Sequence, residues 1–415
     1  MNLKMLKIFM NFNFRWFFLA EIIYAFGVGI STVGTNWYLI DKTNDSHLLG
    51  IMLALNVLAG FLASPIIGGL ADKYNRKNII MMTYIMQIIL YVVIVTSLII
   101  YGFHTYLVIS FAIVNGIGWT TYMATSRSLV KQILSPDEYS SANSLLEISL
   151  QTGMFTAGGL AGLLYQLNGF TVIILITIAT FLISILFLTK VNVNKPTTSK
   201  NSEYLIKEYL KGWQFLKNNK VIFTFGVISI IPMVFTMIFN VTLPSYVYNT
   251  LQLTSIDFGL SDMLYGIGGL AAGIISTVII KKVPAKIMVL LLFLVLALNS
   301  ILFVSINSAI YLFIGSCVLG YSISSIRIYM NTAIMNSVSD EYIGRSFTIW
   351  ASLSLLMQSF VSPILGKGVN ELGDTIGFNI ILIVSLIMIT FLFFINRSKN
   401  ISYDYIKDQR GEANE

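Results

Sequence analysis

Four ionisable residues sit inside long apolar runs of this chain: Glu21, Glu147, Asp262 and Arg327. A charge in hydrocarbon costs several kcal/mol and is rarely idle there. A carboxyl in such a place can take a proton or attract a cation, and an arginine can hold a carboxylate. Glu21 shares a helical face with Tyr24, Val28, Thr32 and Thr35. Glu147 shares one with Ser144 and Gln151, and Arg327 falls between Ser324 and Asn331. Arg327 paired with Glu147 or Glu21 would form a gate, opened when the carboxylate takes a proton or a cationic substrate. The competing reading is an interfacial side chain snorkelling outward, or a fixed structural pair. Other chemistry has little to work with. There are two histidines, His47 and His104, and one cysteine, Cys317, so neither a metal set nor a disulfide framework is expected. No G-x-x-x-x-G-K-[ST] loop occurs, and no nucleophile–base pair is discernible. The expectation is a protein that is not an enzyme and needs no cofactor.

The elements that must position these groups are membrane helices. Of 415 residues, 56% are hydrophobic and 11% charged, with a mean hydropathy of +0.79. A soluble domain carries about 25% charged residues. Apolar runs repeatedly exceed the ~18–20 residues that cross a bilayer; 79–101 is uncharged throughout. The first run lacks a small-residue cleavage site and is read as a retained span. Twelve spans are expected, near 14–40, 47–71, 78–101, 105–126, 139–165, 169–189, 220–248, 255–280, 286–306, 309–335, 342–366 and 374–396. The interval 190–219 divides them six and six. It is lysine-rich, with Tyr204, Leu205, Tyr209, Leu210, Trp213 and Leu216 at helical spacing, and reads as a linker containing an amphipathic surface helix. The predicted organisation is therefore 1–189, a six-helix bundle; 190–219, the linker; 220–396, a second bundle; and 397–415, a tail.

Lysine and arginine orient this arrangement. With the N-terminus inside, the segments on one face hold 23 of the 26 cations, leaving Lys42 and Lys367 opposite and Arg327 within a span. Cytoplasmic loops carry such an excess, so both termini are expected in the cytoplasm of a bacterial cell, the chain being multi-pass in the plasma membrane. The net charge of +7 and pI near 9.2 then reflect topology. No basic patch is interleaved with exposed aromatics, and no nucleic-acid partner is expected.

The halves repeat. Gly50 and Gly60 recur as Gly259 and Gly269, each 209 positions later. Lys281-Lys282-Val283-Pro284-Ala285-Lys286 is a worn copy of the charged hairpin Gly68-Gly69-Leu70-Ala71-Asp72-Lys73-Tyr74-Asn75-Arg76-Lys77, and Ser339-Asp340-Glu341-Tyr342 echoes Ser135-Pro136-Asp137-Glu138-Tyr139. The hairpin closely resembles the signature loop between helices 2 and 3 of the major facilitator superfamily. Asn75 stands where that loop has Gly, and asparagine also tolerates the left-handed conformation. Asp340-Glu341-Tyr342-Ile343-Gly344-Arg345 resembles the D-E-x-x-G-R signature of the superfamily's macrolide-efflux-like branch, and Ser141-Ala142-Asn143-Ser144-Leu145 resembles its A-N segment. Gly153-Met154-Phe155-Thr156-Ala157-Gly158-Gly159-Leu160-Ala161-Gly162 is similar to the family's antiporter motif, with Ala157-Gly158 in place of its Gly-Pro.

This resemblance implies an all-α membrane protein of twelve transmembrane helices in two pseudo-symmetric six-helix bundles, working by alternating access. It implies a substrate cavity walled by spans 1, 4, 7 and 10, with Tyr24, Thr32, Asn115, Trp119, Tyr122, Met237 and Asn240 as candidates. Gly153, Gly158 and Gly162, facing Gly266, Gly269 and Gly273, would form a hinge of close-packed helices. A conformational latch would be built from Gly68, Asp72, Arg76, Asp137, Glu138, Asp340, Glu341 and Arg345, with Arg76 reaching Asp137 or Glu138. The family's arginine in span 4 is Ala112 here, so proton coupling would fall to another group. The expected function is proton-coupled efflux of an amphipathic, macrolide-like small molecule by a monomer in the lipid bilayer. A nutrient or siderophore-type permease of the same fold is the first alternative, and a membrane sensor without flux the second.

Overall fold

The computed structural model describes residues 8–135, 138–193, 213–214, 216–217, 219–279, 283–338 and 340–397, excepting a few side chains within them. Regular structure among these is helical throughout. The helices are α1 (Phe12–Thr43), α2 (Ser46–Lys73), α3 (Arg76–Tyr101), α4 (Thr105–Ile133), a long run Tyr139–Thr189, α7 (Lys220–Ser245), α8 (Ser255–Ile279), α9 (Ala285–Ser305), α10 (Ala309–Ser337), α11 (Asp340–Leu372) and α12 (Ile376–Arg397). Eleven helices are thus long and apolar enough to cross a membrane among the described residues. Twelve spans follow, because the 51-residue run would measure about 77 Å at 1.5 Å per residue, more than twice the hydrocarbon thickness. It breaks at Gly169, with φ 74° and ψ −177°; its limbs 139–168 and 170–189 are α5 and α6.

That backbone conformation is open essentially to glycine alone. A β-carbon at Gly169 would meet nothing within 4 Å, so only the backbone opposes substitution. Gly169→Ala is expected to cost about 1–3 kcal/mol, read as a lowered unfolding midpoint in detergent.

Short polar caps start the helices where the chain turns. Asn11 Oδ1 accepts from the Phe14 amide at 3.1 Å, and Asp45 Oδ1 from the amides of His47 and Leu48 at 2.9 and 3.1 Å. Asn75 Oδ1 accepts from the Lys77 amide at 3.0 Å. Its φ of −63° and ψ of 121° are extended, not left-handed. Asparagine thus serves this hairpin as the N-cap of α3, not as a glycine substitute. Lys77 then donates to the carbonyls of Thr189 and Val191 at 3.2 and 2.7 Å, where a cation suits the end of α6.

The chain forms two compact units, Met1–Ser202 with Val247–Met263, and Glu203–Tyr246 with Leu264–Glu415. Within the first, α1 packs along Tyr139–Thr189, and α4 packs on α2 and α3; within the second, α7 packs on α10, α11 and α12, and α9 on α10 and α12. The repeat is written in glycines. In the first unit a β-carbon at Gly116 would fall on the Asn56 carbonyl oxygen, and one at Gly60 would lie 2.9 Å from Gly116 O. In the second, a β-carbon at Gly320 would fall on the Tyr265 carbonyl oxygen, and one at Gly269 would lie 4.0 Å from Gly320 O. Asn56 and Tyr265 stand 209 positions apart, as Gly60 and Gly269 do. The same small-residue contact joins α2 to α4 and α8 to α10, because close approach is what binds helices where apolar burial gives no drive.

Candidate functional site

Glu21 lies in the middle of the first unit and is 1% exposed. Its Oε2 accepts a hydrogen bond from the Tyr122 hydroxyl of α4. Among the described residues no cation pairs with it. Around this pair sits an aromatic cluster. The Tyr24 ring stacks on Tyr84 of α3 at 4.5 Å and 15°, and lies 4.9 Å from Tyr122 and 5.1 Å from Phe181 of α6. The Tyr24 hydroxyl is buried with no hydrogen-bond partner. Two turns along α1, Ser31 Oγ accepts from Asn115 Nδ2 at 3.0 Å, which ties α1 to α4 a second time. Gln87 of α3 extends the polar seam, donating to the Tyr91 hydroxyl at 3.3 Å and the Val114 carbonyl at 3.4 Å. The ring of the donor, Tyr122, is held by tilted contacts with Tyr24 and Trp119, at 38° and 33°.

The other ionisable candidates are placed differently. Glu147 is exposed and pairs with Arg127 at 3.8 Å, while Gln151 donates to its Oε1 at 3.0 Å. An exposed pair of this kind is worth about 0–1 kcal/mol. Asp262 is half-buried, and a β-carbon at Gly158 would lie 2.9 Å from its Oδ2. Within the second unit, Arg327 is half-buried with no ion pair or hydrogen bond among the described residues.

Of the cavity candidates, Tyr24 and Tyr122 are sealed inside the aromatic cluster, exposing 1% or less. Thr32 is half-buried and donates to the Val28 carbonyl at 2.9 Å; Trp119 is half-buried with its ring 5.7 Å from Tyr122. In the second unit Met237 is buried and Asn240 half-buried. The hinge glycines divide. Gly153 packs on α1, where its β-carbon would lie 2.7 Å from Ala25 Cβ. Gly158 and Gly162 do meet α8, but at Gly259 and Ser255, with Ser255 Oγ donating to the Gly162 carbonyl at 2.8 Å. Gly269 instead faces Ser324 of α10, and Gly273 has open space.

The latch candidates are only partly within the described residues. Asp137 lies outside them, as do the side chains of Asp72, Asp340 and Glu341, and only the backbone conformation of Gly68 is described. Glu138 Oε2 accepts from the amide and hydroxyl of Ser135 at 3.1 and 2.7 Å. The Arg345 guanidinium lies 4.9 Å over the Tyr342 ring. In the linker, Tyr204, Leu205, Tyr209 and Leu210 also lie outside the described residues. Leu216 is fully buried among Ile222, Phe225, Ile334, Ile349 and Trp350, not on a surface.

Three members of the cluster, Tyr84, Gln87 and Phe181, had no place in the reading of the sequence, which looked to spans 1, 4, 7 and 10. A signal was present in α3: Tyr84, Gln87 and Tyr91 recur at i, i+3 and i+7 in a run otherwise apolar. Phe181 carries no such mark.

A sequence model of the Major Facilitator Superfamily matches residues 17–362. Among curated relatives, an uncharacterized MFS-type transporter, YfmI, of Bacillus subtilis (strain 168) is 24% identical over 259 residues, 60% of this chain and 63% of that protein. The chain thus spans under two thirds of that relative's length. Macrolide efflux protein A of Streptococcus pyogenes is 22% identical over 331 residues, 77% of this chain and 80% of the relative. Among solved structures, nucleoside transporter NupG superposes with a TM-score of 0.73 at 14% identity, covering 94% of this chain and 100% of that one. A D-xylose-proton symporter does so at 0.69 and 13%, covering 91% and 96%. At these identities the structures show the fold alone.

Proposed function

The chain belongs to the major facilitator superfamily, a family of membrane transporters, and on that footing we propose that it is a secondary active transporter which expels an amphipathic, macrolide-like small molecule in exchange for protons. The observation that carries the proton half of this reading is Glu21, buried with no cation paired to it among the described residues and held by a phenol. An ionised carboxylate inside a membrane helix costs roughly 3 kcal/mol on insertion scales. A hydrogen bond to a charged group offsets about 1.5–3 kcal/mol of that. Burial opposes the charge and the phenol supports it, so a change in either during alternating access shifts the balance between the two protonation states. The substrate half is supported by the likeness to macrolide efflux protein A, spread over most of both chains. It is also supported by the methionine and aromatic residues of α4 and α7, an adaptable surface for apolar molecules.

In this reading the chain works as a monomer in the bacterial plasma membrane, both termini cytoplasmic. Gly158 and Gly162 form the moving seam with α8, and Asp262, Arg327 and the hairpin at Asp72 and Arg76 set the gate. The test is uptake of a labelled macrolide by susceptible cells with and without the protein. Expressing cells should hold several-fold less label, and a protonophore should erase the difference. A protein that raised accumulation, with the gain lost on collapse of the gradient, would be an importer and would overturn the direction assigned. No change for any macrolide, dye or peptide would overturn the substrate class.

A further inference from the structure

The stretch Val247–Met263, which joins α7 to α8, belongs with the first unit, while the rest of both helices belongs with the second. Its start is a bend. Pro244 near the end of α7 has no amide to give to the Asn240 carbonyl, and a π-turn follows at Tyr246–Thr250. The Leu253 amide closes the loop on the Val247 carbonyl at 2.9 Å, with Gln252 left-handed at φ 52°. Thr254 then leads into α8, giving its amide and hydroxyl to Asp257 Oδ2 at 3.0 and 2.8 Å. Two tyrosines of the turn have different hosts. Tyr246 is held in the second unit, where its hydroxyl donates to the Phe303 carbonyl at 3.0 Å. Tyr248 is held in the first, where its ring meets Trp37 of α1 edge-on at 5.7 Å and 70°. Phe258 of α8 stacks on the same indole at 5.3 Å and 25°. Trp37 is 4% exposed and Phe258 3%, so the stack is closed to solvent. Ser255 Oγ fastens the stretch a second time, to the Gly162 carbonyl of α5.

We propose that Trp37 is a bolt: its indole holds Val247–Met263 against α1 and α5, and the stretch swings off as a cap, bending at the π-turn, when this end of the chain opens. On the orientation proposed above, it is the outer end. Sharp bends in helices fall at prolines and π-turns, and here both stand beside the point where the chain changes host. The contacts suit repeated opening. They are ring faces and a hydroxyl–carbonyl bond, and neither acid of the stretch, Asp257 or Asp262, is in an ion pair among the described residues. Opening therefore strands no charge, which would be far more costly than parting two rings. The inference rests on the alternating-access reading, and is independent of the ion, the substrate and the direction assigned to it.

The test is a distance, measured by double electron–electron resonance on the full chain in lipid nanodiscs. Spin labels go on Lys42→Cys, at the end of α1, and on Gln252→Cys, in the loop, both exposed positions. Cys317→Ser removes the native thiol. The unaltered chain should give mainly a short distance. Trp37→Ala should raise the population of a longer one about tenfold, the scale of two lost ring contacts, while Trp37→Phe, which keeps a ring, should stay close to the unaltered chain. Tyr38→Ala is the control for general loosening, because that ring meets Phe103, Tyr165 and Phe170 and not the cap. It should lower the unfolding midpoint without adding the longer distance. Tyr248→Ala removes one ring contact of the two and should give an intermediate population, which keeps the test open if Trp37→Ala does not fold. An unchanged distance in the Trp37 and Tyr248 variants, or an equal change in Tyr38→Ala, would overturn the bolt. A longer distance in a chain that moves no substrate would uphold the bolt and refute the transport reading instead.

Discussion

Glu21→Gln is expected to yield a folded protein whose transport no longer responds to a proton gradient. The amide oxygen can still accept from Tyr122, and the side chain is nearly the same size, so stability should hold within about 1 kcal/mol. What is lost is a group that can exist with and without a charge. In proteoliposomes, gradient-driven efflux should fall to the level of empty vesicles, while substrate exchange without a gradient continues. Tyr122→Phe probes the same pair from the other side. It leaves the carboxyl with no donor in a site that is 1% exposed. The cost of an unsatisfied buried group, about 1–3 kcal/mol, should appear as a lowered unfolding midpoint together with weakened coupling. Gradient-driven efflux that survived in Glu21→Gln would sink the assignment and shift it to Asp262, a half-buried carboxyl of α8 with no ion pair among the described residues.

Gly162→Ala should be the most damaging of the small substitutions in the α5–α8 seam. A β-carbon there would fall on the Ser255 carbonyl oxygen, 2.8 Å from the Ser255 carbonyl carbon and 3.0 Å from Ile256 Cα. These are backbone atoms, so no rotamer change relieves the overlap. The helices must part, and the bonds from Ser255 Oγ to Gly162 O and Gln166 Oε1 lengthen with them. Overpacking of this kind costs about 1–3 kcal/mol. Gly273→Ala is the control. Nothing lies within 4 Å of its β-carbon position, and alanine in a helix interior gains about 1 kcal/mol over glycine. Unfolding midpoints in detergent should therefore move in opposite directions. If both variants behaved alike, the close contact of α5 with α8 would be absent from the protein in solution.

The sequence by itself determined the spans and the family, because each rests on local properties, but not every boundary: α4 runs to Ile133 and α11 to Leu372, past the expected ends at 126 and 366. Hydropathy over a window, a capping asparagine or aspartate before a helix, and the charged hairpin 68–77 need no partner to be read. The internal repeat was visible the same way, in Gly60 and Gly269 at equal spacing. What only the tertiary structure decided is which stripe of each helix meets which neighbour. Gly153 and Gly158 belong to one motif, yet five residues turn them to α1 and α8 respectively. Gly269 looked like a hinge residue and proves to be the α8–α10 counterpart of Gly60. Glu21 and Glu147 read alike as charges in apolar runs. One is sealed among Tyr24, Tyr84, Tyr122 and Phe181, and the other sits exposed beside Arg127. The rotation of a helix about its axis is set by packing across the bundle. A rotation that changes a carboxyl's whole environment leaves no trace in the residues adjacent to it in the chain.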